Sequence, residues 1–205
     1  MDFEFISYRL RYSIPITAPR VFTLNNYPEA WNKEYEQNNY FASDPIIKHC
    51  LSSNSPITWS EQSFSSNRTL YEHAKAFGLS HGWTQSSWAT PCSKGFVSLS
   101  RSAIPISRKE LDSKEARMSS LVREVHACVS EVLMPAHPPR LHEALSLREI
   151  EILKWIADGK TGEVIGQLLG ITERTVTYHA VSIMQKMDVT NRTAAAVKAV
   201  LLGII

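Results

Sequence analysis

The chain has 205 residues, 43% hydrophobic and 20% charged, enough for one large or two ordinary domains that bury a core without staples. Its formal net charge of +2 excludes the broadly basic surface that would announce a polyanion partner. There is no apolar run long enough for a membrane span, no basic-then-apolar secretion signal in MDFEFISYRLRY, and no CxxC pair among Cys50, Cys92 and Cys128, so the expectation is a soluble cytoplasmic protein with reduced thiols and no metal site.

The chain enters a strand at once, over the aromatic and β-branched run Phe3 to Tyr12, and RVFTL reads as a second. EAWNKEYEQNN, SDPIIKHCLSS and LYEHAKAFG then place apolar residues at helical spacing, with Gly78 suited to a helix end. WTQSSWAT and GFVSLSRS return to strand character. A long helix follows over about 108–133, with Met118, Leu121, Val122, Val125, Val129, Val132 and Leu133 as its apolar stripe. Pro135, Pro138 and Pro139 forbid a continuous helix. The expected organisation is therefore an α+β domain over 1–134, a linker over 135–145 and a helical domain over 146–205.

The helical domain is heavily punctuated. Ser146 and Glu149 form a capping box before Ile150, Leu153, Ile156 and Ala157, and Gly159 closes that helix. Thr161 caps GEVIGQLL, which Gly170 ends; Thr172 caps ERTVTYHAVSIMQKM, with Val176, Ala180, Ile183 and Met187 inward; and a fourth helix runs from Arg192 with Ala194, Val197 and Leu201 inward. A short helix, a glycine turn and a longer helix make helix-turn-helix geometry. The outward face of the longer helix offers Thr177, Tyr178, Val181 and Ser182 to base edges, and Lys160, Arg174, Thr175, Lys186 and Arg192 flank it as phosphate contacts. Spacing alone fits a small solvated bundle equally well. Residues 146–205 hold seven Lys or Arg against six acids, so one such module is a weak anchor and two, on a palindrome, are expected.

Residues 146–205 resemble the DNA-binding domain of LuxR-type regulators. Leu147-Arg148-Glu149, Gly159-Lys160-Thr161, Ile165, Leu168, Thr175-Val176, His179, Lys186, Val189, Asn191-Arg192 and Ala195-Ala196 carry the likeness. It implies a four-helix, all-α fold, with Thr177, Tyr178 and Val181 where bases are read; Ser182 and Met187 replace the more usual Asn and Leu.

In the first domain, Tyr27, Trp31, Tyr35 and Trp59 surround one acid, Asp44, with Ser7, Thr84 and Ser98 available from strands. Trp31 and Tyr35, four apart, reach one space from a helix. Indole and phenol donors with one carboxylate acceptor suit a neutral, amide-bearing small molecule, although the same residues fit an ordinary aromatic core with Asp44-Pro45 as a helix start. The stretch from NNYPEAW to SPITW, followed by FGLSHGW and GFVSLSRS, resembles the autoinducer-binding domain of quorum-sensing LuxR-type proteins. That resemblance implies an α/β/α sandwich with an antiparallel sheet and an N-acyl-homoserine lactone as effector. By the same resemblance Trp31 donates to the lactone carbonyl, Asp44 accepts the amide N–H, Tyr35 reaches the acyl carbonyl and Tyr27 and Trp59 wall the lactone. Ser7, Thr84 or Ser98 adds polar contacts, and Phe5, Phe64 and Leu79 lie along the acyl tail. A carboxylate in a closed apolar pocket is costly unless paired, so the ligand amide is expected to relieve that cost. Members of the family carry further, mostly helical residues before the strand that begins here at Phe3.

No GxSxG, HExxH, phosphate-binding glycine loop or paired-carboxylate motif is present, which points away from an enzyme. Two binding-protein readings follow: a lactone-responsive, homodimeric transcription factor on a two-fold operator, or a short form that sequesters lactone or interferes with partner regulators.

Overall fold

The computed structural model describes residues 2–133 and 145–205. Two compact units divide the chain, one drawn chiefly from residues up to Leu133 and one from those beyond it. The expected linker lies, but for Leu145, outside the described residues.

The first unit is a five-stranded sheet with helices on both faces. Its strands are β1 (Phe5–Tyr12), β2 (Arg20–Asn25), β3 (Ile57–Thr58), β4 (His81–Thr90) and β5 (Ser93–Arg101), in the order β2-β1-β5-β4-β3. β1 is antiparallel to β2 and to β5, with Tyr8 opposite Leu24 on one side and Val97 on the other; β3 is antiparallel to β4, with Ile57 opposite Thr84. Side chains alternate across a strand, so the register sorts the residues by face. One face carries Tyr8, Trp83, Val97 and Leu99. Against it lies α5 (Arg108–Leu133), where the Trp83 indole donates to Glu115 at 3.2 Å and the Tyr8 hydroxyl meets His126 Nδ1 at 2.9 Å. The Ala89 amide donates to His126 Nε2 at 3.2 Å, so the neutral ring carries its proton on Nδ1 and donates it to Tyr8. Burial also holds the His126 pKa down.

The buried stripe of α5 is Met118, Val122 and His126, every fourth residue. This corrects the all-aliphatic stripe expected from the sequence: Val132 is exposed, and a histidine takes the core position because two polar partners await it.

The opposite face carries Ser7, Arg9, Thr84, Phe96 and Ser98, and is covered by α1 (Glu29–Gln37), α2 (Tyr40–Ser43), α3 (Pro45–Ser52) and α4 (Arg68–Ala76). Tyr27, Trp31, Tyr35, Tyr40, Ile46, Phe64, Leu70, Tyr71, Ala74 and Leu79 form one largely aromatic core there. Cys50 is buried beside Ile47 and Phe96, where desolvation pushes its thiol up to about 12. None of the three cysteines is in a disulfide.

Among the described residues the second unit has four helices: α6 (Leu147–Ala157), α7 (Gly162–Leu169), α8 (Glu173–Lys186) and α9 (Arg192–Leu201). Ser146, Thr161, Thr172 and Asn191 cap them through side-chain oxygens, and the Ser146–Glu149 capping box is complete. Gly170 ends α7 at φ 65°, a left-handed conformation that makes the tight turn into α8. Val176, Ala180, Ile183 and Met187 are all fully buried, as the spacing predicts. In α6 Leu153 is buried together with Ile152, Ile150 and Ile156 pack against the same core, and of the expected face Ala157 is exposed. The register of the last helix differs. α9 buries Ala195, Ala196 and Ala199 in place of Ala194, Val197 and Leu201, because small residues let it pack close while Val197, 40% exposed, stays outside.

Candidate functional site

Between the sheet and α1, α3 and α4 lies a cavity of about 30 Å³, room for about one water. Tyr27, Trp31, Tyr35, Asp44, Trp59 and Ser98 line it, as do Ile46, Phe64, Leu70 and Leu79. Ser7 and Thr84, expected beside them, stand behind the wall. Thr84 Oγ1 accepts the Trp59 indole N–H at 2.9 Å and donates to Ser98 Oγ at 2.9 Å, and Ser7 is buried opposite Ser98 in the β1–β5 register. Phe5 packs edge-on to Tyr27 at 6.1 Å. Gly82 makes room for this arrangement, since a Cβ there would overlap the Trp59 indole.

Helix α1 points Trp31 and Tyr35 at the same space, their rings edge to face at 5.6 Å. Tyr40 and Phe77 close around Trp31 at 6.2 and 5.7 Å. Among the described residues the Trp31 indole N–H has no hydrogen-bond acceptor.

Asp44 does two things at once. Its Oδ1 accepts from the Ile46 and Ile47 amides at 2.8 and 3.4 Å, capping α3, and its Oδ2 accepts the Tyr35 hydroxyl at 2.8 Å. The carboxylate is therefore already paired, so the cost that the ligand amide was expected to relieve is met in this structure by these three donors. Burial pushes its pKa up, while the Arg9 guanidinium, the Tyr35 hydroxyl and the two amides pull it back.

Arg9 was not singled out from the sequence. Its Nη1 donates to Tyr35 Oη at 3.1 Å, and its guanidinium lies over the Tyr35 ring at 4.3 Å. The signal was available: Ser7 and Arg9 are two apart on one strand and share a face.

In the second unit, Lys160 ahead of α7 and Arg174, Thr177, Tyr178 and Val181 on α8 are exposed, with Tyr178 at 73%. Thr175 binds the Thr172 hydroxyl at 2.9 Å, and Arg192 Nη2 donates to Thr177 at 3.3 Å. Lys186, expected on phosphate, is instead held by Glu149 at 2.9 and 2.7 Å. Ser182 turns inward to the same carboxylate at 2.7 Å. These contacts, with the Ser146 amide, hold Glu149 at a pKa of about 2 despite its burial.

A family model described as an autoinducer binding domain matches residues 1–129, and a second, described as bacterial regulatory proteins of the luxR family, matches 143–199. The chain belongs to the LuxR family. AnoR of Acinetobacter nosocomialis, a transcriptional activator, is 35% identical over all of this chain and 87% of its own length. The regulatory protein SdiA of Escherichia coli is 35% identical over all of this chain and 85% of its own, and the quorum-sensing regulator RhlR of Pseudomonas aeruginosa 33% over the same shares. A crystal structure of SdiA superposes with a TM-score of 0.76 at 32% identity, covering all of this chain and 85% of that one. CepR2 of Burkholderia cenocepacia, described as N-acylhomoserine lactone dependent, gives 0.58 at 26% identity over 67% of this chain and 79% of its own. The sandwich and the four helices are thus those of LuxR-family autoinducer-binding transcriptional regulators. Among the described residues no helix is long and apolar enough to cross a membrane, and no cluster of side chains could hold a metal ion.

Proposed function

We propose that the chain is a cytoplasmic transcription factor switched by an N-acyl-homoserine lactone, which acts as a homodimer on a two-fold operator and catalyses no reaction. The observation that carries the ligand reading is the pairing of an acceptor, Asp44, with an unpartnered donor, the Trp31 indole, on the wall of one aromatic cavity. A lactone carbonyl takes the Trp31 N–H and the ligand amide donates to Asp44 Oδ2. Tyr35 then turns its hydroxyl hydrogen from Asp44 to the acyl carbonyl, so binding exchanges one hydrogen bond for three. Tyr27 and Trp59 flank the ring, and Thr84, Ser98 and Ser7 hold that wall in place. Because the cavity holds about one water, a lactone enters only as the aromatic wall repacks around it, which couples binding to the stability of the unit.

On the DNA side, Thr177, Tyr178 and Val181 address base edges, and Lys160, Arg174, Thr175 and Arg192 address phosphates. Lys186 serves mainly to seat α8 on α6 through Glu149. The likeness to transcriptional regulators over the entire chain favours this reading over a lactone-sequestering short form. Gel-shift titration with and without lactone, over a range of salt, tests it: the expected result is lactone-dependent, salt-sensitive binding to a palindrome. Lactone binding without any lactone-dependent DNA shift would favour the sequestering form.

A further inference from the structure

Arg9 and Tyr35 line the cavity and also a second, open groove of about 360 Å³ on the outer side, bordered by Val21, Thr23, Asn32 and Phe41. The two residues thus stand at the neck between an enclosed space and an open one. The guanidinium is fixed there by its stack on the Tyr35 ring and a single hydrogen bond to Tyr35 Oη. Its remaining N–H donors have no protein acceptor among the described residues. Arg9 and Tyr35 are shared by the two spaces, so a chain that has its amide on Asp44 and runs out to the groove passes Tyr35 and then Arg9.

We propose that Arg9 determines the acyl specificity of this receptor by donating to an oxygen on the third carbon of the chain, so that 3-oxo or 3-hydroxy lactones bind more tightly than unsubstituted ones of equal length. This rests on the lactone reading above. The geometry matches: Tyr35 Oη and Arg9 Nη1 lie 3.1 Å apart, and the amide carbonyl and a third-carbon oxygen are separated by one intervening carbon, so neighbouring donors face neighbouring acceptors. An unsubstituted chain passes the same neck and leaves the guanidinium donors facing methylenes. A site built to hydrogen-bond a group rejects the analogue that lacks it.

The test titrates the full chain with octanoyl-, 3-oxooctanoyl- and 3-hydroxyoctanoyl-homoserine lactone, following tryptophan fluorescence and thermal shift, for the wild type, Arg9→Met and Arg9→Lys. The wild type is expected to favour the oxygenated ligands by about tenfold or more in Kd. Arg9→Met is expected to bind all three alike, and Arg9→Lys, which keeps one donor group, to fall between. A wild type that binds all three equally, or an Arg9→Met that keeps the tenfold preference, overturns the assignment. If Arg9→Met does not fold, the wild-type ratio and Arg9→Lys decide alone. A folded protein that binds none of the three overturns the lactone reading itself, and this proposal with it.

Discussion

Replacing Asp44 by Asn removes one charge from the cavity and leaves the local fold standing. Asn is as good a helix cap as Asp, and its side-chain oxygen keeps the place of Oδ1 on the Ile46 and Ile47 amides, at 2.8 and 3.4 Å in the wild type. Its NH2 then occupies the position of Oδ2, where a ligand amide must find an acceptor. The loss is a hydrogen bond to a charged group, about 1.5–3 kcal/mol, or about 10- to 100-fold in Kd. Tyr35→Phe takes from the ligand only a neutral bond, about 0.5–1.5 kcal/mol, and leaves Asp44 open to it. The readout is lactone-dependent stabilisation. At a concentration one hundred times the wild-type Kd, ligand adds about 2.7 kcal/mol to the wild type, and a hundredfold-weaker variant keeps only about 0.4 kcal/mol. The shift should therefore nearly vanish in Asp44→Asn and remain clear in Tyr35→Phe, each read against the variant's own unliganded melting temperature, which both substitutions lower by removing the Tyr35–Asp44 bond or its charge. Equal shifts in wild type and Asp44→Asn would refute the role given to the carboxylate.

Glu149→Gln should destabilise the DNA-binding unit and release Lys186. The carboxyl pKa falls from 4.5 to about 2 on folding, so its stabilisation, on the order of 3 kcal/mol, is present above pH 4.5 and lost as pH falls toward 2; the variant's melting temperature should be lower at neutral pH and lack that acid limb. Gly82→Ala should push Trp59 off its seat on β4 and break its bond to Thr84, costing about 1–3 kcal/mol, and a tryptophan emission spectrum unchanged from wild type would count against it. Arg174→Ala should weaken DNA binding evenly across sequences and reduce the salt slope by about one. Tyr178→Ala, at an exposed position, should instead change which bases are preferred, as read by binding to a randomised operator library.

Much of the architecture was legible because it depends on local chemistry. Caps announce themselves, as Ser146, Thr161 and Thr172 do, and a full helical period such as Val176 to Met187 fixes a buried face. Registers failed where side-chain size and tertiary partners decide. In α9 three alanines give a closer approach than Val197 between them, and in α5 a histidine is buried because Tyr8 and the Ala89 amide lie 2.9 and 3.2 Å away. The short α2 and β3 carry too few residues for any periodicity to show. In the cavity the aromatic residues and the acid were readable as a group. Arg9 was not, because a cation in a strand reads as a solvent-facing residue until the helix that covers it is in place.

Thr84 sits at the junction of three strands, accepting from Trp59 on one side and donating to Ser98 on the other at 2.9 Å each. The sheet side of the cavity is thus locked by directional bonds, each of which has only one satisfactory geometry, whereas Trp31 on the helical side is held by ring contacts to Tyr35, Tyr40 and Phe77 that slide with little penalty. Changes of ligand preference, whether drifted or selected, should therefore accumulate on the helices and at the neck, at Tyr40, Phe77 and Arg9. Thr84 and Ser98 should tolerate almost no replacement, which makes a saturation library built on the helical side the efficient route to a receptor with a new signal.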